Sequence, residues 1–226
     1  MNRVQIIGVP QSTFVRAVRI AAEEKGVGYD LVPAPPKSPQ VSAIHPLGKV
    51  PVMRHGDIEL FESKAIATYF DRAFPGPRLI PEDAVAAARV EQWVSLMNSG
   101  FQPAFGAYIA GYFFPGTADG SPDRERIDAV LGKVEHALGV IDRGVTPRGH
   151  LVGDDFTLAD IAVLPTLYYL TRLPESAAVI AALPALPAYI ERHGQRASVK
   201  TTVPPPPTAD IAAAVAPAPR SAVAAT

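Results

Sequence analysis

The sequence predicts an α/β domain over residues 1–73, followed by an all-helical domain over residues 83–195. Three observations predict this division. Short apolar runs bounded by turn residues, with one helical stretch between them, fill the first third of the chain. Beyond residue 83 the apolar residues recur at helical spacing, and no segment is typical of a strand. Residues 74–82 contain three prolines and therefore predict a linker.

The first elements predict a β-α-β unit. Residues 4–9 form an apolar run that Pro10 ends, as expected for a buried strand. Residues 12–25 alternate an apolar face with a charged face at helical period, and two glycines follow. Residues 29–32 predict a second strand. Such a unit normally places two parallel strands side by side.

The rest of the first domain predicts a hairpin and a helix. Residues 33–39 contain four prolines and predict a loop. Residues 50–53 and 58–61 predict strands, because Gly56-Asp57 between them is a hairpin signal. Residues 62–71 predict a helix. The order β-α-β-loop-β-β-α follows.

The second domain contains apolar stripes at helical spacing and a strong helix-start signal. Thr157 and Asp160 predict a capping box, in which each side chain accepts a hydrogen bond from the other residue's backbone. We interpret that pair as structural. Residues 196–226 are rich in alanine and proline, bury little apolar surface, and are predicted to be a disordered tail.

Composition excludes several classes of function. The formal net charge of -1, from 21 basic and 22 acidic residues, gives no reason to expect nucleic acid or a charged membrane as partner. With no cysteine, the chain has no disulfide, no thiolate-ligated zinc and no thiol nucleophile of its own. The N-terminus lacks a signal-peptide pattern and no apolar stretch is long enough to span a membrane, so we expect a cytoplasmic protein.

Three segments resemble one known family. They are KSPQVSAIHPLGKVP at 37–51, FESKAIATYF at 61–70 and LVGDDFTLADIAVLPTLYYL at 151–170. Together they resemble the cytosolic glutathione transferases, most closely the serine-type phi class. The resemblance implies a thioredoxin-like N-terminal domain before a helical bundle, glutathione as co-substrate, no metal, and a homodimer.

Ser12 stands directly before the first predicted helix, where a serine is a good N-cap. In the resembling family, the serine at this place donates its hydroxyl proton to the sulfur of glutathione and favours the thiolate. One hydrogen bond to a charged group contributes roughly 1.5 to 3 kcal/mol, enough to lower a thiol pKa by one to two units. We therefore predict that Ser12 is the catalytic residue.

The resemblance also implies a set of glutathione ligands. A cis proline at Pro51 would turn the backbone of Val50 toward the cysteinyl part of glutathione. Glu62 and Ser63 would bind the γ-glutamyl end, which carries both an ammonium and a carboxylate. Lys37 and Lys49 are predicted to contact the glycyl carboxylate.

Two departures weaken the predicted glycyl contact. Pro36 stands where the phi pattern has a histidine, and His45 replaces a common asparagine before Pro46. Lys37 is consequently the least supported of the predicted ligands.

A hydrophobic electrophile is the expected second substrate. Phe101, Phe105, Tyr108 and Tyr112 fall on one stripe of a predicted helix, which is typical either of a core or of a pocket wall. We predict that the pocket is lined by Gln11, Phe14, Phe105, Tyr108, Ile109 and Tyr112.

The predicted reaction is conjugation of glutathione thiolate to an electrophilic carbon, with peroxide reduction as a side activity. Two alternatives stay open. One is glutathione-dependent isomerisation or dehalogenation on the same fold, since fold does not fix chemistry. The other is a non-catalytic scaffold that binds proteins, against which the intact Ser12, Glu62 and Ser63 argue.

Overall fold

The computed structural model describes residues 3–206, and the first part of the chain is a four-stranded sheet with helices packed on it. The strands are β1 (Val4–Ile7), β2 (Tyr29–Val32), β3 (Val52–His55) and β4 (Ile58–Phe61). Their order in the sheet is β2-β1-β3-β4, with β1 and β2 parallel and the other pairs antiparallel. The helices of this part are α1 (Thr13–Glu24), α2 (Pro39–Ser42) and α3 (Ser63–Ala73). The predicted thioredoxin-like α/β fold is confirmed.

Helix α1 joins the sheet to the helical part of the chain. Its apolar face, with Val15 and Val18 fully buried, packs into the core beside β1 and contacts α3 and the later helix at Leu158–Leu170. Gly8 allows α1 to approach the end of β1. A Cβ atom at residue 8 would lie 2.6 Å from Val15 and 3.0 Å from Val50, which is closer than van der Waals contact permits.

Three element boundaries differ from the predicted ones. Strand β1 ends at Ile7, and β3 begins at Val52 rather than at residue 50. Pro51 has no N–H to donate to a strand ladder, so pairing begins after it. The proline-rich loop is followed by the single turn α2, and α3 begins at Ser63 with Glu62 as its N-cap.

The remaining described elements are helical, as predicted. They are α4 (Ala84–Ser95), a π-helical segment (Leu96–Phe101), α5 (Gln102–Phe113), α6 (Arg124–Gly144), α7 (Leu158–Leu170), α8 (Pro174–Ala182), α9 (Leu186–Gly194) and α10 (Ala197–Thr201). The π-helical segment joins α4 to α5 just before Pro103. A proline ring clashes with the carbonyl four residues earlier, and a widened turn relieves that clash.

The capping box at the start of α7 is confirmed. Thr157 accepts from the backbone of the first turn, and the Asp160 carboxylate accepts from the Thr157 backbone N–H at 3.0 Å. The other oxygen of Asp160 accepts from Leu151 N–H at 2.9 Å and from the Tyr189 hydroxyl at 3.0 Å. Asp160 therefore anchors the start of α7 to the preceding loop and to α9.

The prediction of a disordered tail from residue 196 onward is wrong for residues 196–206. Helix α10 lies there and packs against α1. Arg16 donates to Val199 O at 3.1 Å, and Arg196 pairs with Glu24 at 2.7 Å. Composition missed this because the contacts come from α1, nearly two hundred residues earlier. Residues 207–226 of the predicted tail lie outside the described residues. Among residues 3–206, no helix is both long and apolar enough to cross a membrane.

Candidate functional site

Two neighbouring cavities, both lined by Phe14, bring most of the predicted site residues together. The smaller has a volume of about 150 Å³, and its wall consists of Phe14, His45, Lys49, Val50, Pro51, Glu62, Ser63 and Asn98. The larger has a volume of about 460 Å³. Its wall consists of Gln11, Ser12, Thr13, Phe14, Gln102, Gly106, Ile109, Phe113, Phe114, Tyr168, Tyr169, Arg172, Pro204, Pro205 and Pro206.

The peptide bond between Val50 and Pro51 is cis, as the resemblance implies. Both residues line the smaller cavity, directly before β3. An extended ligand lying beside Val50 can therefore reach backbone groups that no strand of the sheet covers. The side chain of Val50 is half-buried and packs against the core.

Glu62 adopts a left-handed backbone conformation, with φ at 65°. This region is unfavourable for a residue with a side chain, and such strain is concentrated at functional sites. The conformation places Glu62 at the start of α3, with a side chain that is 64 % exposed and Ser63 next to it in the smaller cavity. A carboxylate and a helix N-terminus thus stand side by side, which suits a ligand carrying both an ammonium and a carboxylate.

His45 lies behind Glu62 and orients it. The ring is buried, and Nδ1 accepts a hydrogen bond from the Leu47 backbone N–H at 3.0 Å. A neutral imidazole that accepts at Nδ1 carries its proton on Nε2, and Nε2 lies 3.5 Å from Glu62 Oε1. His45 stands where the resembling family commonly has an asparagine. The histidine therefore still places an N–H donor near the Glu62 carboxylate.

Ser12 is the N-cap of α1. Its Oγ accepts a hydrogen bond from Val15 N–H at 3.3 Å, and the residue lines the larger cavity. A hydroxyl can accept one hydrogen bond and donate another at the same time. The capping role and a role toward a bound sulfur are therefore compatible at Ser12.

The two predicted lysine ligands lie in different places. Lys49 lines the smaller cavity, whereas Lys37 is exposed and lines neither of the two cavities. Lys37 has a φ of 64°, and its backbone N–H donates to Gly48 O at 2.7 Å. This contact closes the loop before β3 and leaves the Lys37 side chain toward solvent.

Half of the predicted pocket residues are not in the pocket. Gln11, Phe14 and Ile109 line the larger cavity, but Phe105 and Tyr108 are fully buried in the core. That assignment of the aromatic stripe was wrong, because the stripe turns toward α6 and α8.

Tyr108 and Tyr112 instead bind Glu175. The Tyr108 hydroxyl donates to the Glu175 carboxylate at 2.9 Å and accepts from Ser176 N–H at 3.1 Å. Tyr112 donates to the same carboxylate, and Arg124 donates to its other oxygen at 2.6 Å. Partial burial opposes ionisation, but these hydrogen bonds outweigh it and lower the pKa of Glu175 to about 2. The two tyrosines therefore fix α5 to α8.

Sequence reasoning missed the wall opposite α5. It consists of the end of α7, of Arg172 two residues beyond that helix, and of residues 204–206. Tyr169 donates its hydroxyl to Gln11 O at 2.7 Å, and burial raises the pKa of this hydroxyl to about 12, so it stays protonated at neutral pH. Gln11 in turn donates to Pro205 O at 2.9 Å. These bonds join the start of α1, the end of α7 and the C-terminal segment into one wall.

Away from both cavities, His150, Asp160 and His193 each offer one possible metal ligand atom, within 4.8 Å of one another. Burial lowers the pKa of both imidazoles and keeps them neutral at pH 7. The Asp160 carboxylate already accepts from three donors at the start of α7. We interpret this group as a structural anchor of the helical domain.

Comparisons with known proteins agree with this geometry. The model of the glutathione S-transferase N-terminal domain matches residues 6–78, and that of the C-terminal domain matches residues 124–192. Glutathione S-transferase 3 of Zea mays is 30% identical over 222 residues, covering 92% of this chain and 99% of the relative.

Solved structures are similar as well. A glutathione S-transferase of Methylobacillus flagellatus with glutathione bound has a TM-score of 0.75 and 31% identity, covering 89% of this chain and 100% of that one. Maize glutathione S-transferase I, in complex with an atrazine glutathione conjugate, has a TM-score of 0.78 and 28% identity, with 88% and 96% covered. The fold and the paired cavities define a glutathione-dependent transferase. The chain belongs to the glutathione S-transferase family.

Proposed function

We propose that this protein transfers the thiolate of glutathione to apolar electrophiles, with Ser12 as the catalytic residue. One observation carries the proposal. The Ser12 hydroxyl stands at the N-terminus of α1 in the wall of the large apolar cavity, and Phe14, two residues on, also lines the small polar cavity. A tripeptide that fills the small cavity and carries a thiol on its central residue can present that sulfur to Ser12 and to the large cavity together.

The small cavity suits glutathione from end to end. Glu62 and the start of α3 at Ser63 would bind the ammonium and the carboxylate of the γ-glutamyl group. The backbone of Val50 would pair with the cysteinyl part, since the cis bond at Pro51 leaves it outside the strand ladder. Lys49 is the glycyl ligand that the geometry favours. Lys37 would have to change its side-chain direction to assist.

The energetics need no general base. Lowering a thiol pKa from about 8.5 by two units requires roughly 2.7 kcal/mol of preferential binding to the thiolate. The Ser12 hydroxyl supplies roughly 1.5 to 3 kcal/mol as a donor to a charged acceptor. The N-terminus of α1 adds roughly 0.3 to 1 kcal/mol. These two contributions together cover the requirement.

Proximity supplies the rest of the catalysis. The thiolate sulfur forms a bond to an electrophilic carbon held in the large cavity, and that carbon releases its leaving group with the bonding electrons. The thiol proton goes to solvent. The bound atrazine conjugate of the maize relative supports an aromatic or otherwise apolar electrophile, and hence a detoxifying role.

We place the enzyme in the cytoplasm, where glutathione is kept reduced, and we propose a homodimer. Two large apolar side chains support the dimer. Leu47 is 66% exposed and Phe61 is 39% exposed, and they lie near each other because the Leu47 backbone N–H and the Phe61 ring both contact His45. A second copy of the chain is the partner that the family resemblance implies for such a surface. Light scattering after size-exclusion chromatography measures the mass directly.

The experiment that tests the proposed function is an ultraviolet difference titration of glutathione bound to the purified protein. Absorbance of the thiolate is followed against pH, with free glutathione as the reference. We expect the bound thiol to ionise about two pH units below the free one. Glutathione that binds but keeps its ordinary ionisation would remove Ser12 from its catalytic role, and a failure to bind would refute the function.

A further inference from the structure

Among residues 3–206, Arg172 is the one charged residue in the wall of the large cavity. Its guanidinium carbon lies 3.6 Å from the centroid of the Tyr168 ring, and Nη1 donates to Tyr168 O and to Thr171 Oγ1. These contacts hold the guanidinium in place by one nitrogen. Within the part of the chain that the structure describes, no carboxylate lies within 4.0 Å of Arg172.

A second arginine without a counter-charge lies against the same ring. The guanidinium carbon of Arg16 is 4.5 Å from the Tyr168 centroid, and the residue is 2% exposed. Nη2 donates to Val199 O, while Nε and Nη1 have no hydrogen-bond partner. Burial lowers the pKa of Arg16 to about 10, so the group is still positive at neutral pH. No salt bridge to Arg16 occurs among residues 3–206.

Two positive charges on one aromatic ring repel each other, and burying one of them without a partner is costly. Arg172 is exposed, so solvent screens part of its charge, whereas Arg16 is buried and screened much less. An anion placed beside Arg172 would be attracted by both guanidinium groups and would relieve their mutual repulsion. Apart from Gln11, Ser12, Thr13, Gln102 and Gly106, the rest of the cavity is lined by five aromatic residues, three prolines and Ile109, which favour an apolar remainder of the ligand.

We propose that the large cavity selects electrophiles that combine an apolar body with one anionic group, and that Arg172 binds this anionic group. This inference rests on the proposed function, because it names the substrate class of the same cavity. Ser12 and Arg172 both line this cavity, so one molecule could present its reactive carbon to the sulfur and a carboxylate or sulfonate to the guanidinium. Arg16, behind Tyr168, adds a positive field without touching the ligand.

A matched pair of electrophiles tests the selection. The probes are 4-chloro-3,5-dinitrobenzoate and its methyl ester, which differ in charge but react in the same way. The glutathione sulfur bonds to the ring carbon, the carbon–chlorine bond breaks, and chloride leaves with the bonding electrons. The carboxylate or ester is unchanged. The quantity measured is kcat/KM for the acid divided by kcat/KM for the ester, at neutral pH.

We expect this ratio to exceed one in the wild type and to fall about tenfold in Arg172→Gln, the size expected for one charge-assisted hydrogen bond. Arg172→Lys keeps the charge and should recover part of the ratio. Arg148→Gln, at an exposed arginine paired with Asp154, is the matched control and should leave the ratio unchanged. Melting temperatures of all variants verify that each is folded.

An equal ratio in the wild type and Arg172→Gln would overturn the inference, and turnover of the ester in both would leave the proposed function standing. Calorimetric binding of the unreactive pair, 3,5-dinitrobenzoate and its methyl ester, decides the case in which neither electrophile reacts. If the wild type binds the acid more tightly than the ester and Arg172→Gln removes this preference, charge selection is supported even if the transferase function fails. Equal binding of the two would refute it.

Discussion

The two cavities that share Phe14 differ in how their walls are assembled. The walls of the small cavity come chiefly from residues 45–63, where the loop before β3 meets the start of α3. The walls of the large cavity come from four segments, spread from Gln11 to Pro206, that only tertiary packing brings together. The first cavity is local in sequence and strained in its backbone. The second is dispersed and mostly apolar.

That contrast fits the ligand proposed for each cavity. A zwitterionic tripeptide needs donors and acceptors at fixed positions, and the left-handed backbone of Glu62 holds one such acceptor at the small cavity. Apolar surface is recognised mainly by area and shape, which many side chains can supply. The polar cavity consequently constrains individual residues, whereas the apolar cavity constrains how the helices and the C-terminal segment pack.

The largest effect that would test this contrast is expected at Ser12, where the two cavities meet. Ser12→Ala should reduce kcat for conjugation by about 10- to 100-fold, the range for one hydrogen bond to a charged group. The glutathione Kd should change by no more than about threefold, because the tripeptide contacts lie in the small cavity. Stopped-flow turnover and calorimetry measure the two quantities separately.

Loss of the helix cap could also slow Ser12→Ala through lower stability, by about 1 kcal/mol. Ser12→Thr is the control, since it keeps both the cap and a hydroxyl. If Ser12→Ala turned over as fast as the wild type, Ser12 would have a capping role only.

The next largest effect is expected in the small cavity. Glu62→Gln keeps the shape and the strained backbone but removes the charge that would meet the γ-glutamyl ammonium. Since the side chain is mostly exposed, we expect the glutathione Kd to rise roughly tenfold, at the lower end for a charge-assisted bond. Saturated turnover should change much less.

Glu59→Gln serves as the matched control. Glu59 is an exposed residue of β4, three positions before Glu62, and its carboxylate pairs with Arg54 at 2.7 Å. Both Kd values are read by calorimetry. Equal glutathione binding by the Glu62 and Glu59 variants would mean that the strained position serves the fold and not the ligand.

The smallest effect is expected in the large cavity, because its wall is made of many weak contacts. A chain ending at residue 203 lacks the prolines that close the cavity, whereas one ending at residue 206 keeps them. Losing about 50 Å² of apolar contact costs roughly 1 kcal/mol, so kcat/KM for an apolar electrophile should fall about fivefold between the two chains. The glutathione Kd should be equal in both. A change in glutathione affinity instead would show that the two cavities are not separable.

Much of the secondary structure could be predicted from the sequence, because its signals are local. The hairpin at Gly56-Asp57, the N-cap Ser12 and the capping box at Thr157 each lie within a few residues of the element they specify. The cis bond at Pro51 was reached through the family resemblance, since only the surrounding motif distinguishes it from an ordinary proline at a strand end.

The large cavity could not be predicted in the same way. Phe105 and Tyr108 have the spacing of a pocket wall, but the same spacing fits a core, and the neighbours of α5 decide between the two. Residues 204–206 have the composition of a low-complexity tail. Their position depends on the Gln11 side chain, which donates to Pro205 O, and composition does not record that contact. Lys37 fits the family pattern, but its left-handed backbone directs it to solvent.

The sequence by itself determined the order of elements, the polar groups of the small cavity and the absence of any protein thiol, because each depends on residue type or on neighbours a few positions away. Only the tertiary structure decided which side chains face the electrophile and where Arg16 and Arg172 meet Tyr168. The contact of Tyr168 with Arg16 and the hydrogen bond of Tyr169 to Gln11 each join residues more than 150 positions apart. Their energy is realised only when α1, α7 and the C-terminal segment pack together, and no local pattern records that packing.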